Sequence, residues 1–163
     1  MKTQSHRLPL REESGQSTLE LAFCLPLFAL LILGGAELGN LAWASVQVNN
    51  AARAGAAFGS ISRTNSADTT HIGIAAQNEA PKLITSPSTQ VTSLQVCYCV
   101  TDGVPGPPDR GCASTNLASC ALPGIIQVAV KVNTQATVTP FVHYIGLPAS
   151  YTVRGQATVG VVQ

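Results

Sequence analysis

One run of the chain limits its fold more than any other. From Leu21 to Ala36, sixteen successive residues carry no formal charge and nearly all are apolar. The run has no polar face, so it does not read as the half-exposed helix of a soluble domain. A helix core buried within a soluble protein is the competing reading, and the same lack of a polar face speaks against it. The helical pattern extends through Leu19 and Glu20 on one side and through Glu37 to Ala44 on the other. A bilayer core takes about 20 residues at about 1.5 Å rise each. The span therefore reaches Glu20 or Glu37 near an interface, or else the helix tilts or the bilayer thins.

The flanks add topology. Met1 to Ser14 is polar, with Lys2, Arg7 and Arg11 set against Glu12 and Glu13. Basic residues before an apolar run hold that end in the cytoplasm, which puts the remainder of the chain outside. Ala42-Trp43-Ala44 before Ser45 has a small-x-small pattern, so a cleaved secretory signal is a second reading of the same stretch. Pro26 removes an amide that would bond the Ala22 carbonyl, and kinks are common at such positions. Cys24, in the same run, reads as a small hydrophobe. Gly35 and Gly39 have GxxxG spacing, which lets membrane helices approach closely.

Glu20 is the exception in this stretch. An acidic side chain costs about 2.5–3.5 kcal/mol at the centre of a bilayer and less at its edge. Glu20 lies five residues after Gly15. If the chain is cut after Gly15, Gln16 acquires a charged amine one helical turn from Glu20. In an assembly, Glu20 can then pair with the amine of a neighbouring subunit, and apolar surroundings make such a pair selective.

Gly15 followed by QSTLEL resembles the prepilin-peptidase motif of type IVb and Tad-type pilins, which have a Gly at the cut and a Glu at the fifth mature position. Leu21 stands where Tad prepilins usually carry Tyr or Phe. LELAFCLP (Leu19–Pro26), GGAELGN (Gly34–Asn40) and NNAARAGAAFG (Asn49–Gly59) are similar to segments that mark the TadE-like family of tight-adherence pilus proteins. The resemblance implies a prepilin-peptidase cut between Gly15 and Gln16, an assembly role for Glu20, and partners among Tad pilus subunits and assembly-platform proteins. The closing ATVTPFVHYIGLPASYTVRGQATV is similar to the family's final strands, more loosely.

Beyond the run, Leu41, Val48, Ala52 and Gly55 form a helical stripe of small residues that calls for close packing, with a sheet of the same chain as its natural cover. Gly55, Gly59 and Ser60 give a stop signal. Asp68 or Thr69 is placed to cap a helix running to about Leu83, weakened near its end by Pro81. Val91 to Val100 reads as a strand, with Val91, Leu94, Val96, Tyr98 and Val100 largely alternating. Cys97 and Cys99 share its other face and point the same way, which makes them poor partners for each other. Cys112 and Cys120 follow a Pro/Gly-rich loop. The pairings left are Cys97–Cys112 with Cys99–Cys120, or the crossed pair, and either fits an oxidising compartment. Zinc is the rival reading, but C-x-C is not its usual spacing and no His clusters nearby. Ile125 to Pro140 alternates strongly, Thr137 to Phe141 extends it, and Tyr151 to Val162 alternates again after a turn at Gly146-Leu147-Pro148.

The expected fold is α+β: a long N-terminal membrane-spanning helix with a three- or four-stranded antiparallel sheet packed on its extracytoplasmic half, a pilin-like arrangement. Residues 1–15 form a cytoplasmic leader, 16–59 the helix and 60–163 an extracytoplasmic β-rich domain. A net charge of +1 argues against nucleic acid, and 5% aromatics against a base-stacking platform. His71, His143, Asp68, Asp102, Asp109 and Glu79 fall in no catalytic motif. No enzyme activity, cofactor, metal or small-molecule substrate is expected. The expected function is a minor pilin-like subunit or assembly factor at the bacterial inner membrane. The alternative is an anchored or exported envelope protein that binds a partner through its outer domain and needs neither Gly15 nor Glu20.

Overall fold

The structure is a computed structural model that describes residues 14–106, 109–110, 120, 124–142 and 148–162. The leader expected before Ser14 lies outside the described residues, as do Cys112, His143 and the Gly146-Leu147 part of the expected turn. The chain divides into two compact units, Met1–Leu38 and Gly39–Gln163.

In the first unit the described residues belong to helix α1, which spans Ser14–Ser60 in all. The helix continues through Pro26. Its large apolar side chains, among them Phe23, Leu27, Phe28 and Ile32, are exposed. The segment Ser17–Ser60 is long and apolar enough to cross a membrane.

The second unit is built where α1 becomes a helix of small residues. Ala44, Val48, Ala51, Ala52, Gly55, Ala56 and Gly59 are buried on one face, a broader version of the expected stripe. Three short helices follow: α2 (Arg63–Ala67), α3 (Thr69–Glu79) and α4 (Pro87–Gln90). Asp68 caps α3, accepting a hydrogen bond from the His71 amide at 3.0 Å. The helix stops at Glu79 and not near Leu83 as expected. Pro81 disfavours helical geometry at the residue before it, and Ala80 has already left the helix with φ −131°.

One antiparallel sheet carries the rest: β1 (Val91–Thr101), β2 (Val104–Pro105), β3 (Asp109–Arg110), β4 (Ile125–Val138) and β5 (Tyr151–Gly160), in the order β2-β1-β4-β5 with β3 also on β1. The α+β architecture expected from the sequence is the one observed. The sheet has two additional two-residue strands, and β4 ends at Val138, short of Phe141. β1 and β2 join through Asp102 (φ 55°) and Gly103 (φ 78°), both left-handed, as a tight hairpin requires. The sequence reading took this Asp-Gly as part of a loop.

β4 gives the sheet its buried face. Val128, Val130, Val132, Thr134, Ala136 and Val138 are all buried. Cys97, Gln95, Ser93 and Val91 of β1 stand opposite Val128, Val130, Val132 and Thr134, so they share that face. The more apolar set of β1, Leu94, Val96, Tyr98 and Val100, therefore points the other way, and Leu94 is exposed. Gln95 faces inward because it has partners there. Its Nε2 donates to the Ser66 hydroxyl and lies 3.5 Å from the Arg63 carbonyl oxygen, both in α2.

α1 and the sheet meet closely. A Cβ at Gly55 would lie 3.4 Å from Val132 Cγ1 and 3.1 Å from the Ile72 carbonyl oxygen of α3, and one at Gly59 3.1 Å from Val130 Cγ1. At Gly155 it would lie 2.5 Å from the Val48 carbonyl oxygen. That same oxygen accepts a 2.7 Å hydrogen bond from Thr134 Oγ1. The Val162 amide donates to the Ser60 carbonyl at 3.0 Å, tying the chain after β5 to the end of α1.

Candidate functional site

The motif at the start of α1 is accessible. Gly15, Ser17, Thr18, Leu19 and Glu20 are exposed on the helix. Glu20 falls one turn after Gln16, because α1 is already helical at both positions. No charged residue follows Glu20 until Glu37. The surface between them is apolar, and its large side chains are exposed among the described residues. Apolar surface of this extent needs lipid or other helices around it.

Gly34, Gly35 and Gly39 differ from Gly55, Gly59 and Gly155. A Cβ built on any of the three meets nothing within 4 Å. Intramolecular packing therefore does not require glycine there, whereas it does at Gly55, Gly59 and Gly155. Ala44, the last residue of the small-x-small pattern, is fully buried inside the helix.

The cysteines have separate fates. Cys99 is bonded to Cys120, with 5.6 Å between their α-carbons. Cys97 is also disulfide-bonded. Cys112, the other residue of the expected pairings, lies outside the described residues. Cys24 is free and exposed in the apolar half of α1. Among the described residues no three His, Cys, Asp or Glu side chains gather in a way that could hold a metal ion.

His71 lies on the surface, and its Nδ1 is 2.6 Å from Asp68 Oδ2. It also stacks on Phe58 of α1, with ring centroids 6.1 Å apart. Hydrogen bonding from the His71 amide holds the Asp68 carboxyl below the usual carboxylate range. The pair serves the helix cap and the α1–α3 contact, which is a structural role.

No curated protein and no solved structure matches the chain significantly. Residues 15–57 do match a family model, that of the TadE-like proteins. The matched stretch covers the exposed apolar helix, the GxxxG pair and most of the small-residue face under the sheet. Over this N-terminal segment the chain is similar to the TadE-like proteins.

Proposed function

We propose that the chain is a minor pilin-like subunit or assembly factor of a Tad/Flp-type type IVb pilus, acting in pilus biogenesis and surface adhesion. One observation carries this reading: the TadE-like match coincides with a helix whose apolar side chains are exposed along its first half. Such a helix is suited first to a bilayer and then to the helical core of a filament.

In this reading the chain inserts with its N-terminus in the cytoplasm, and a prepilin peptidase cuts after Gly15. The Gln16 amine and Glu20 then form a charge pair between neighbouring subunits. Glu37 lies about 32 Å along the helix from Gln16, near the far boundary of the membrane. Gly35 and Gly39 present a smooth face to another helix of the pilus machinery. The sheet domain stands outside the inner membrane, where an oxidising compartment maintains the Cys99–Cys120 bond. The role is structural, with no catalytic residue and no cofactor.

The N-terminus of the mature protein tests the reading, by intact mass and N-terminal peptide sequencing of membrane and sheared surface fractions from a host carrying the Tad machinery. A chain starting at Gln16 is the expected result. A start at Ser45 would mean signal-peptidase cleavage and an exported protein, and a start at Met1 a plain anchor. Either would overturn the pilin reading.

A further inference from the structure

A groove of about 580 Å³ opens beside the central strand of the sheet, within the range of ordinary ligand sites. It is lined by polar residues and one glycine, with no aromatic or aliphatic residue among them. The register explains why they converge. Thr92, Asn133 and Gln156 stand opposite one another across β1, β4 and β5, a row of about 10 Å at about 4.8 Å between strands. Gln135 and Arg154 oppose each other one pleat further on, about 7 Å along the strands. All five lie on one face of the sheet.

The lining residues fall into two groups. The first is already engaged within the fold, and its Thr134 faces α1 on the other side of the sheet. Asn49 Nδ2 donates to the Ser45 carbonyl at 2.9 Å. Gln90 Oε1 accepts from the amides of Thr85 and Ser86, each at 2.8 Å. Thr134 Oγ1 donates to Val48. The second group has no such commitments. Among the described residues, the side chains of Thr92, Asn133, Gln156 and Arg154 make no hydrogen bond or ion pair. Among the described residues their donors and acceptors are thus left open to a ligand in the groove.

These groups select a ligand chemistry. β4 is paired on both edges along these rows, so no peptide can add there as a strand. The lining has no apolar pocket for a peptide side chain. Arg154 is the one charged residue of the lining, too little cationic surface to follow a nucleic-acid backbone. Two carboxamides and a hydroxyl in a row both donate and accept, as the hydroxyls of a sugar ring do. The planar guanidinium beside them matches an acidic group in a bidentate fashion. We infer that this groove binds a short acidic oligosaccharide, with its ring hydroxyls on Thr92, Asn133 and Gln156 and its acidic group on Arg154. The inference does not depend on the pilus reading, and an anchored envelope protein could use the groove equally well.

The test is a calorimetric and saturation-transfer NMR titration of the full chain in detergent micelles. The probes are trigalacturonate, its methyl ester and a sulfated disaccharide. Trigalacturonate is expected to bind, with about a tenfold loss of affinity on methyl esterification and about the same loss in Arg154→Gln. Asn133→Ala is expected to weaken the acid and the ester alike. Arg154 and Gln156 are exposed, so Arg154→Gln is expected to keep its thermal midpoint, and Arg154→Lys to retain part of the affinity. Tighter binding of the sulfated sugar would support the inference and identify the acidic group as sulfate. Three results would overturn it: no binding of any acidic sugar, unchanged affinity in Arg154→Gln, or competition by inorganic sulfate at the same concentration as the sugar.

Discussion

Gly155 has no freedom to carry a side chain. A Cβ there would lie 2.5 Å from the Val48 oxygen, 2.7 Å from its carbon and 2.8 Å from the Asn49 nitrogen. All three are backbone atoms of a helix and cannot move aside cheaply. Gly155→Ala is expected to destabilise the second unit by about 2–3 kcal/mol, read as a lower urea midpoint. Gly35→Ala and Gly39→Ala, with open space around them, are expected to leave that midpoint unchanged. A Gly155→Ala protein as stable as the parent would mean that sheet and helix do not touch there. Alternation placed Gly155 on the correct face of β5, but one strand's pattern does not reveal which helix backbone passes over it. Asp68 was easier to read, because a cap is local. Its carboxyl is held below the ordinary value of 3.8 in the folded chain. The stability it contributes is thus fully present above about pH 4 and is lost as the pH falls through the folded value. Asp68→Asn should reduce this acid sensitivity, which circular dichroism of α3 across pH 2–6 would detect.

The elements were legible to the extent that each announces its own period. The small-residue stripe of α1 and the alternation of β4 and β5 are strong, and the structure follows them. β1 shows where a single-strand pattern fails. Its apolar set is stronger than its polar set, yet it is the Cys97–Gln95–Ser93 face that meets the core, because Ser66 and the Arg63 carbonyl of α2 supply partners for Gln95. Burial of a polar strand residue is decided by an element elsewhere in the chain, and periodicity cannot see it. The two faces should respond differently to truncation. Val130→Ala, fully buried, is expected to cost about 2 kcal/mol, and Leu94→Ala less than about 0.5 kcal/mol. Equal losses in chemical denaturation would put β1 the other way round. The Cys99–Cys120 bond closes a stretch of 21 residues, for which a chain-entropy account gives about 3 kcal/mol. Cys99→Ala should lower stability by roughly that amount, and reductant, which also opens the Cys97 bond, should lower that of the parent chain further.

For the molecule as a whole, the long apolar helix was legible, because sixteen uncharged and nearly all apolar residues admit few alternatives. The groove was not, since it exists only once three strands are in register. The pilus reading is tested at this scale by Glu20→Ala. Membrane insertion should be unchanged, because removing a carboxylate makes the helix more apolar, while the protein should disappear from sheared surface fibres. Unaltered incorporation would mean that Glu20 is only a boundary residue. The seam between α1 and the sheet carries a further consequence. It is made chiefly of Ala and Gly on the helix and Val on the strands. Alanine and glycine have no rotamers to freeze, so the joint closes with little loss of side-chain entropy. It also has little slack: at Gly155 any side chain meets helix backbone, and at Gly59 it meets Ile72 and Val130. In a saturation library of the chain, the seam should therefore tolerate change in one direction only. Val→Ala variants should survive at reduced stability, while almost any enlargement at Ala51, Ala56 or Gly155 should be lost. The lipid-facing half should accept apolar residues of nearly any size. Drift along this sequence is expected to look permissive and rigid by turns along one continuous helix.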